Sequence, residues 1–150
     1  METPPSKLAG ETLQYMQCVW ELVHALDVRS KRMVKQVGVT GPQRYVIRII
    51  GQKPNQTASQ IAATIGKHPS TLTGVLARLE TRGLILRTED VEDRRRARFT
   101  LTASGRKIDK LQRGTVEAAV RRALARCEDR DIEGSREAMT LLVEELERED

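Results

Sequence analysis

Between Thr57 and Leu101 the chain sets two short amphipathic helices, a glycine stop and two alternating strands in immediate succession. No other feature restricts its fold so tightly. In TASQIAATIG, Thr57 or Ala58 opens a helix, Ile61, Ala62 and Ile65 face inward, and Gly66 ends it. In KHPSTLTGVLARLETRGL, Pro69 starts a second helix, Leu72, Val75, Leu76 and Leu79 form its buried stripe, and Gly83 terminates it. Two short helices joined by a tight glycine-containing turn make a helix-turn-helix. Leu84–Arg87 then reads as a strand, and so does Arg96–Leu101, where Ala97, Phe99 and Leu101 alternate with polar residues. A hairpin directly after a helix-turn-helix is the wing of a winged helix.

The flanks read as helices. Residues 1–10, with two prolines and Gly10, are expected to be a loose arm. From Glu11 to about Gln36, Leu13, Met16, Val19, Trp20, Val23 and Leu26 recur at helical spacing in one stripe. Gly38–Pro42 breaks it, and Thr40 or Gly41 caps the next helix. Gln43–Ile50 is ambiguous between helix and strand, and its proline start favours helix. Gly51–Gln56 reads as a loop. Thr102 is expected to cap a long helix through about Cys127, and Asp131 a last one bearing Ala138, Leu141, Leu142 and Leu146. The expected fold is mainly α with a small β-hairpin wing (α+β). A winged-helix lobe at 42–102 lies between terminal helices at 11–37 and 103–148, within one chain of 150 residues. If the lobe closes its own core, the terminal apolar stripes are covered either by a second subunit or by packing of the first helix against the last.

Charge narrows the function. The net charge is +5, but it is not spread evenly: residues 43–106 carry 12 Lys and Arg against 5 Asp and Glu, and the rest 14 against 16. A basic centre between near-neutral flanks is the footprint of a nucleic-acid reader. One Phe, one Trp and two Tyr leave few platforms for stacking unpaired bases, which argues against single-stranded RNA. No apolar run is long enough to span a bilayer, and the N-terminus lacks a secretory core. Cys18 and Cys127 are far apart without motif spacing, which fits a reducing cytoplasm and no metal site. There is no glycine-rich phosphate loop, no pair of histidine ligands and no nucleophile elbow, so neither catalysis nor a cofactor is expected.

The hairpin tip, EDVEDRRRARF, packs Glu89, Asp90, Glu92 and Asp93 against Arg94, Arg95, Arg96 and Arg98. A self-neutralising turn would gain only about 0–1 kcal/mol per exposed pair. A wing beside a recognition helix lies over the minor groove, whose negative potential favours a weakly hydrated guanidinium. Arg95 therefore reads as the inserted finger and Asp93 as its holder through a charge-assisted fork. Arg94, Arg96 and Arg98 become phosphate contacts or partners for Glu89, Asp90 and Glu92.

IAATIGKHPSTLTGVLARLETRGLILR and DVEDRRRARFTLTASG together resemble the MarR family of bacterial transcription regulators, with the Asp-x-Arg wing at Asp93 and Arg95 and the exit Leu101, Thr102, Gly105. The resemblance implies a homodimer built from the terminal helices, bound to a palindromic operator in double-stranded DNA and released by a small ligand or by oxidation. Major-groove reading maps onto Ser70, Thr71, Thr73, Gly74 and Arg78, whose hydroxyls, missing side chain and guanidinium suit base or phosphate contact. Lys67 and His68 in the turn become backbone contacts. For Ser70 and Thr71, capping of their own helix is an equal reading. A family ligand pocket would involve Trp20, His24, Arg44, Tyr45 and Arg48, an aromatic wall with cations suited to a phenolic or aromatic carboxylate. Cys18 falls near a peroxide-sensing position, although the accompanying tyrosines are not evident. The expected function is a cytoplasmic, dimeric winged-helix repressor. A redox regulator acting through Cys18 and a DNA-binding module with no effector are the alternatives.

Overall fold

The computed structural model describes residues 5–66 and 69–149. Its contacts divide the chain into two units, Met1–Val116 and Glu117–Asp150. The first opens with α1 (Pro5–Gln36) and α2 (Gly41–Gln52). Thr40 caps α2 with a reciprocal box: its hydroxyl accepts the Gln43 N–H, and the Gln43 side chain accepts the Thr40 N–H. That box, with Pro42 in the first turn, resolves the ambiguity of Gln43–Ile50 in favour of helix. The expected loose arm is corrected in part, since α1 already starts at Pro5 and runs through Gly10. Pro5 costs nothing in a first turn, and one glycine in 32 helical residues costs only about 1 kcal/mol.

A two-residue strand, β1 (Gln56–Thr57), precedes α3 (Ala58–Ile65), which Thr57 caps with a second box to Gln60. Gly66 ends α3 in the left-handed region (φ 71°), where a side chain would be strained. The helix-turn-helix is completed by α4 (Pro69–Thr81). Two five-residue strands, β2 (Ile85–Glu89) and β3 (Ala97–Leu101), pair antiparallel from Ile85↔Leu101 to Glu89↔Ala97. β1 adds to the other edge of β3, giving the sheet order β1-β3-β2. The fold is a winged helix. Its core joins Met33 and Val39, Ile47 and Ile50 of α2, Ile61 of α3, Leu72, Leu76 and Leu79 of α4, Leu84, Ile85 of β2, and Phe99 and Leu101 of β3.

After the sheet, Thr102 caps α5 (Ala103–Asp109) as expected. The expected long helix through Cys127 does not form, because the chain turns at 110–115, with Gly114 at φ 76°. The second unit holds α6 (Val116–Leu124) from Glu117 onward and α7 (Asp129–Glu147). The N-cap of α7 is Glu128 rather than the expected Asp131, which lies in its first turn. No described helix is long and apolar enough to cross a membrane.

Candidate nucleic-acid interface

The exposed face of α4 and the wing enclose a groove of ≈ 550 Å³. Thr73, Ala77 and Glu80 form the α4 wall, Arg87, Arg95, Arg96 and Arg98 the wing wall, and the capped start of α3 closes one end. The apolar spacing of α4 explains the division. With Leu72, Leu76 and Leu79 buried, Thr73, Gly74, Ala77 and Arg78 are left on the solvent side. A Cβ built on Gly74 meets nothing within 4 Å, so this position presents bare helix backbone to whatever approaches. Thr71 is exposed but turns toward a different cavity. The expected contacts Lys67 and His68 lie outside the described residues, as does the side chain of Ser70.

The wing tip is an ordered turn. The Asp93 carboxylate accepts the Arg95 N–H at 3.0 Å, and the Asp93 carbonyl accepts the Arg96 N–H at 2.9 Å. The guanidiniums of Arg95 and Arg96 stand 3.7 and 3.8 Å from that carboxylate, and the Arg95 side chain is 96% exposed. Asp93 thus fixes the backbone that carries Arg95 and Arg96, in place of the expected guanidinium fork. Arg94 is exposed beside them.

The tight ion pair lies lower. Arg98 Nε and Nη2 both reach Asp90 Oδ2 at 2.9 Å, and Arg98 Nη1 donates to the Asn55 carbonyl at 2.8 Å. Asp90 is buried, and its Oδ1 accepts the Glu92 N–H at 2.9 Å. That backbone bond first, and the Arg98 guanidinium after it, hold the Asp90 carboxyl below the usual carboxylate range, against the desolvation that would raise it. Sequence reasoning offered Asp90 among three acids and Arg98 among three arginines. The pairing follows from register: Thr88 faces Arg98 across the ladder, and Asp90 is the diagonal neighbour one pleat further.

The five residues expected to line a ligand pocket do not converge. Trp20 is 65% exposed and His24 is exposed on α1. Arg44 is buried, and its Nη2 donates to the carbonyls of Asp109 and Leu111. Arg48 pairs with Asp109 at 2.7 Å. Both cations are therefore engaged in joining α2 to α5. Tyr45 lines a cavity of ≈ 430 Å³ together with Leu26, Pro42, Val46, Ile65, Leu72 and Val75 among others, and this cavity is almost wholly apolar. Its apolar walls come from five helices, α1 to α4 and Val116 at the start of α6, a convergence that no single stripe reveals. Cys18 and Cys127 are both exposed free thiols.

Residues 39–97 match the family model described as MarR family. An HTH-type transcriptional repressor of Mycobacterium tuberculosis is 33% identical over 90 residues, covering 60% of this chain and 65% of that protein. The transcriptional regulator HosA of Escherichia coli O157:H7 is 40% identical over 70 residues, covering 47% of this chain and 52% of HosA. The matched stretch thus spans less than two thirds of either relative. Among solved structures, the S. aureus MepR–DNA complex superposes with a TM-score of 0.71 at 20% identity, over 87% of this chain and 97% of MepR. Reduced AbfR bound to DNA superposes with a TM-score of 0.70 at 24% identity, over 95% of this chain and 98% of AbfR. At such identities the superpositions establish the winged-helix fold.

Proposed function

Because this chain belongs to the MarR family through residues 39–97, we propose that it is a dimeric repressor of transcription that binds a palindromic operator in double-stranded DNA. The observation that carries the reading is the groove itself, with the polar face of α4 on one side and a row of arginines on the other. A duplex seated there places α4 in the major groove, with Thr73, Gly74 and Arg78 toward base edges and phosphates. It leaves Arg95 at the adjacent minor groove, carried on a turn that Asp93 has already ordered, so less entropy is lost on insertion. Arg94 and Arg96 supply phosphate contacts.

Terminal helices supply the dimer. On α1, Leu13, Met16, Trp20 and Val23 are exposed, and α7 has no buried residue although it carries Met139, Leu141, Val143 and Leu146. A second copy that covers these stripes holds two α4 helices about one helical turn of DNA apart. The test is selection of bound duplexes from a random pool, followed by anisotropy titration. The expected product is an inverted repeat; a pool with no enriched sequence rejects the reading.

An effector is supported by the apolar cavity, which abuts Leu72 and Val75 of α4. Since Arg44 and Arg48 are committed to α5, its occupant is an uncharged apolar or phenolic molecule rather than the aromatic carboxylate expected from the sequence. A neutral alkylphenol that lowers operator affinity, where its carboxylate analogue does not, is the expected result; the reverse order refutes it.

A further inference from the structure

The arginines of the wing fall into two classes. Arg94, Arg95 and Arg96 are exposed, while the Arg98 side chain is about one third exposed and directs all three guanidinium nitrogens to the protein. Its partners belong to different segments. Asp90 directly follows the outer strand of the wing, and Asn55 sits just ahead of β1 and α3, at φ 67°, with its N–H on the Phe99 carbonyl. Arg98 thereby ties the base of the wing to the start of the helix-turn-helix. Asp90 faces Arg98 from one side and receives the Glu92 N–H from the tip, and its own N–H goes to the Arg96 carbonyl. One carboxylate therefore joins the tip, the strand and, through Arg98, the helical lobe. A two-stranded ribbon twists and bends readily where nothing braces it, and the groove width between α4 and Arg95 depends on that bend.

We propose that Asp90, Arg98 and the Asn55 carbonyl form a clamp that sets the pitch of the wing, so that Asp90 and Arg98 are positioning residues for Arg95 and not DNA contacts. This rests on the DNA-binding reading above. The clamp is worth building because Arg95 must reach the minor groove at the same moment that α4 enters the major groove. A wing free to swing meets both requirements in only a fraction of its conformations, and apparent affinity falls by that fraction.

The sign of one charge change separates positioning from contact. Asp90→Asn removes a negative charge from a surface that faces DNA, so electrostatics alone predicts tighter binding. Loss of the clamp predicts weaker binding. The experiment is anisotropy titration of the selected operator at several salt concentrations with the full chain, as wild type, D90N, R98M, R98K, R95A and R95A/R98M. Expected are an operator affinity about tenfold lower in D90N and R98M, a salt slope in R98M equal to that of the wild type, and a penalty for R95A that mostly disappears in the R98M background. Operator binding by D90N that equals or exceeds the wild type overturns the clamp. So does an R98M slope lower by about 0.9, with the R95A penalty intact, since that is the mark of a lost phosphate contact. If D90N does not fold by circular dichroism, R98K carries the test. It keeps the cation but replaces the three guanidinium nitrogens that hold Asp90 and Asn55 with a single ammonium, and wild-type affinity in R98K overturns the proposal. A wild-type chain that prefers no duplex sequence fails earlier, and takes the DNA-binding reading and the clamp down together.

Discussion

At the scale of single residues, the groove separates side chains that hold the fold from those that face outward. Gly74 is the clearest case. Nothing lies within 4 Å of a Cβ placed there, so Gly74→Ala should raise stability by about 0.5–1 kcal/mol through helix propensity and weaken operator binding by filling the closest point of approach. Thermal melting and anisotropy on the same variant check both signs, and unchanged affinity removes Gly74 from the interface. Arg95→Ala should cost more than about 1 kcal/mol of operator binding with little change in melting temperature, as its side chain is almost fully exposed and its 3.7 Å pairing with Asp93 lies at the surface. Asp90 carries a pH prediction. Its folded pKa lies below the reference 3.8, so its contribution to stability is complete above that value and is lost as pH falls through the folded pKa. Stability of the wild type should therefore decline more steeply below about pH 4 than that of D90N, as measured by urea unfolding across pH. The residue types at the wing were legible in the sequence, since a dense run of arginines in a hairpin has few other uses. Their division of labour was not. Asp93 and Arg95 are near in sequence and suggested a fork, whereas the tightest ion pair of the wing spans eight residues and exists only because the hairpin register makes Asp90 and Arg98 diagonal neighbours.

At the scale of elements, short-range rules located α2, α3, α4, both wing strands and the start of α5, because each of these carries its own punctuation: Thr40 with Pro42, Thr57 with Gly66, Pro69, Gly83 and Thr102. They failed where the deciding interaction is distant. β1 is two residues long, too short to show alternation, and exists because β3 offers it an edge. The break between α5 and α6 falls inside a run that keeps helical spacing through Ile108, Leu111 and Val116, so periodicity alone bridged it. In the fold, Arg44 bonds the carbonyls of Asp109 and Leu111. Those carbonyls, at the end of α5 and just beyond it, are bound by a side chain instead of by the next helical turn. The exit from the wing shows how tightly elements are fitted. Thr102 donates its hydroxyl to the Gly83 carbonyl and its N–H to the Leu84 carbonyl, and a Cβ on Gly105 would collide with that same Leu84 carbonyl. Backbone cannot yield as a flexible side-chain end can, so Gly105→Ala should destabilise by about 1–3 kcal/mol or more, with the wing and α5 forced apart. A chemical denaturation midpoint equal to that of the wild type would show that α5 shifts freely, contrary to this packing.

At the scale of the whole molecule, the winged-helix core closes on itself, and apolar surface remains on the terminal helices. Leu13 and Trp20 on α1 are each about two thirds exposed, as are Leu141 and Leu146 on α7. Single exposed apolar residues are ordinary, but stripes that repeat along two long helices are not. Among the described residues much of this apolar patterning stays exposed, which is the sequence-level argument for a second copy. Dimerisation and operator binding should then be linked: two linked lobes bind a palindrome as one ligand with a high effective concentration of the second arm. Leu141→Asp buries a charge in the proposed dimer contact and leaves the sequence of the winged helix unchanged. It should convert the chain to a monomer by sedimentation equilibrium, lower palindrome affinity by about 100-fold or more, and leave affinity for an isolated half-site unchanged. The half-site measurement matters most. If Leu141→Asp weakens half-site and palindrome equally, α7 supports the lobe itself and not an assembly. If it weakens neither and the chain stays dimeric, α1 carries the contact alone, and Trp20→Asp should then produce the pattern expected of Leu141→Asp.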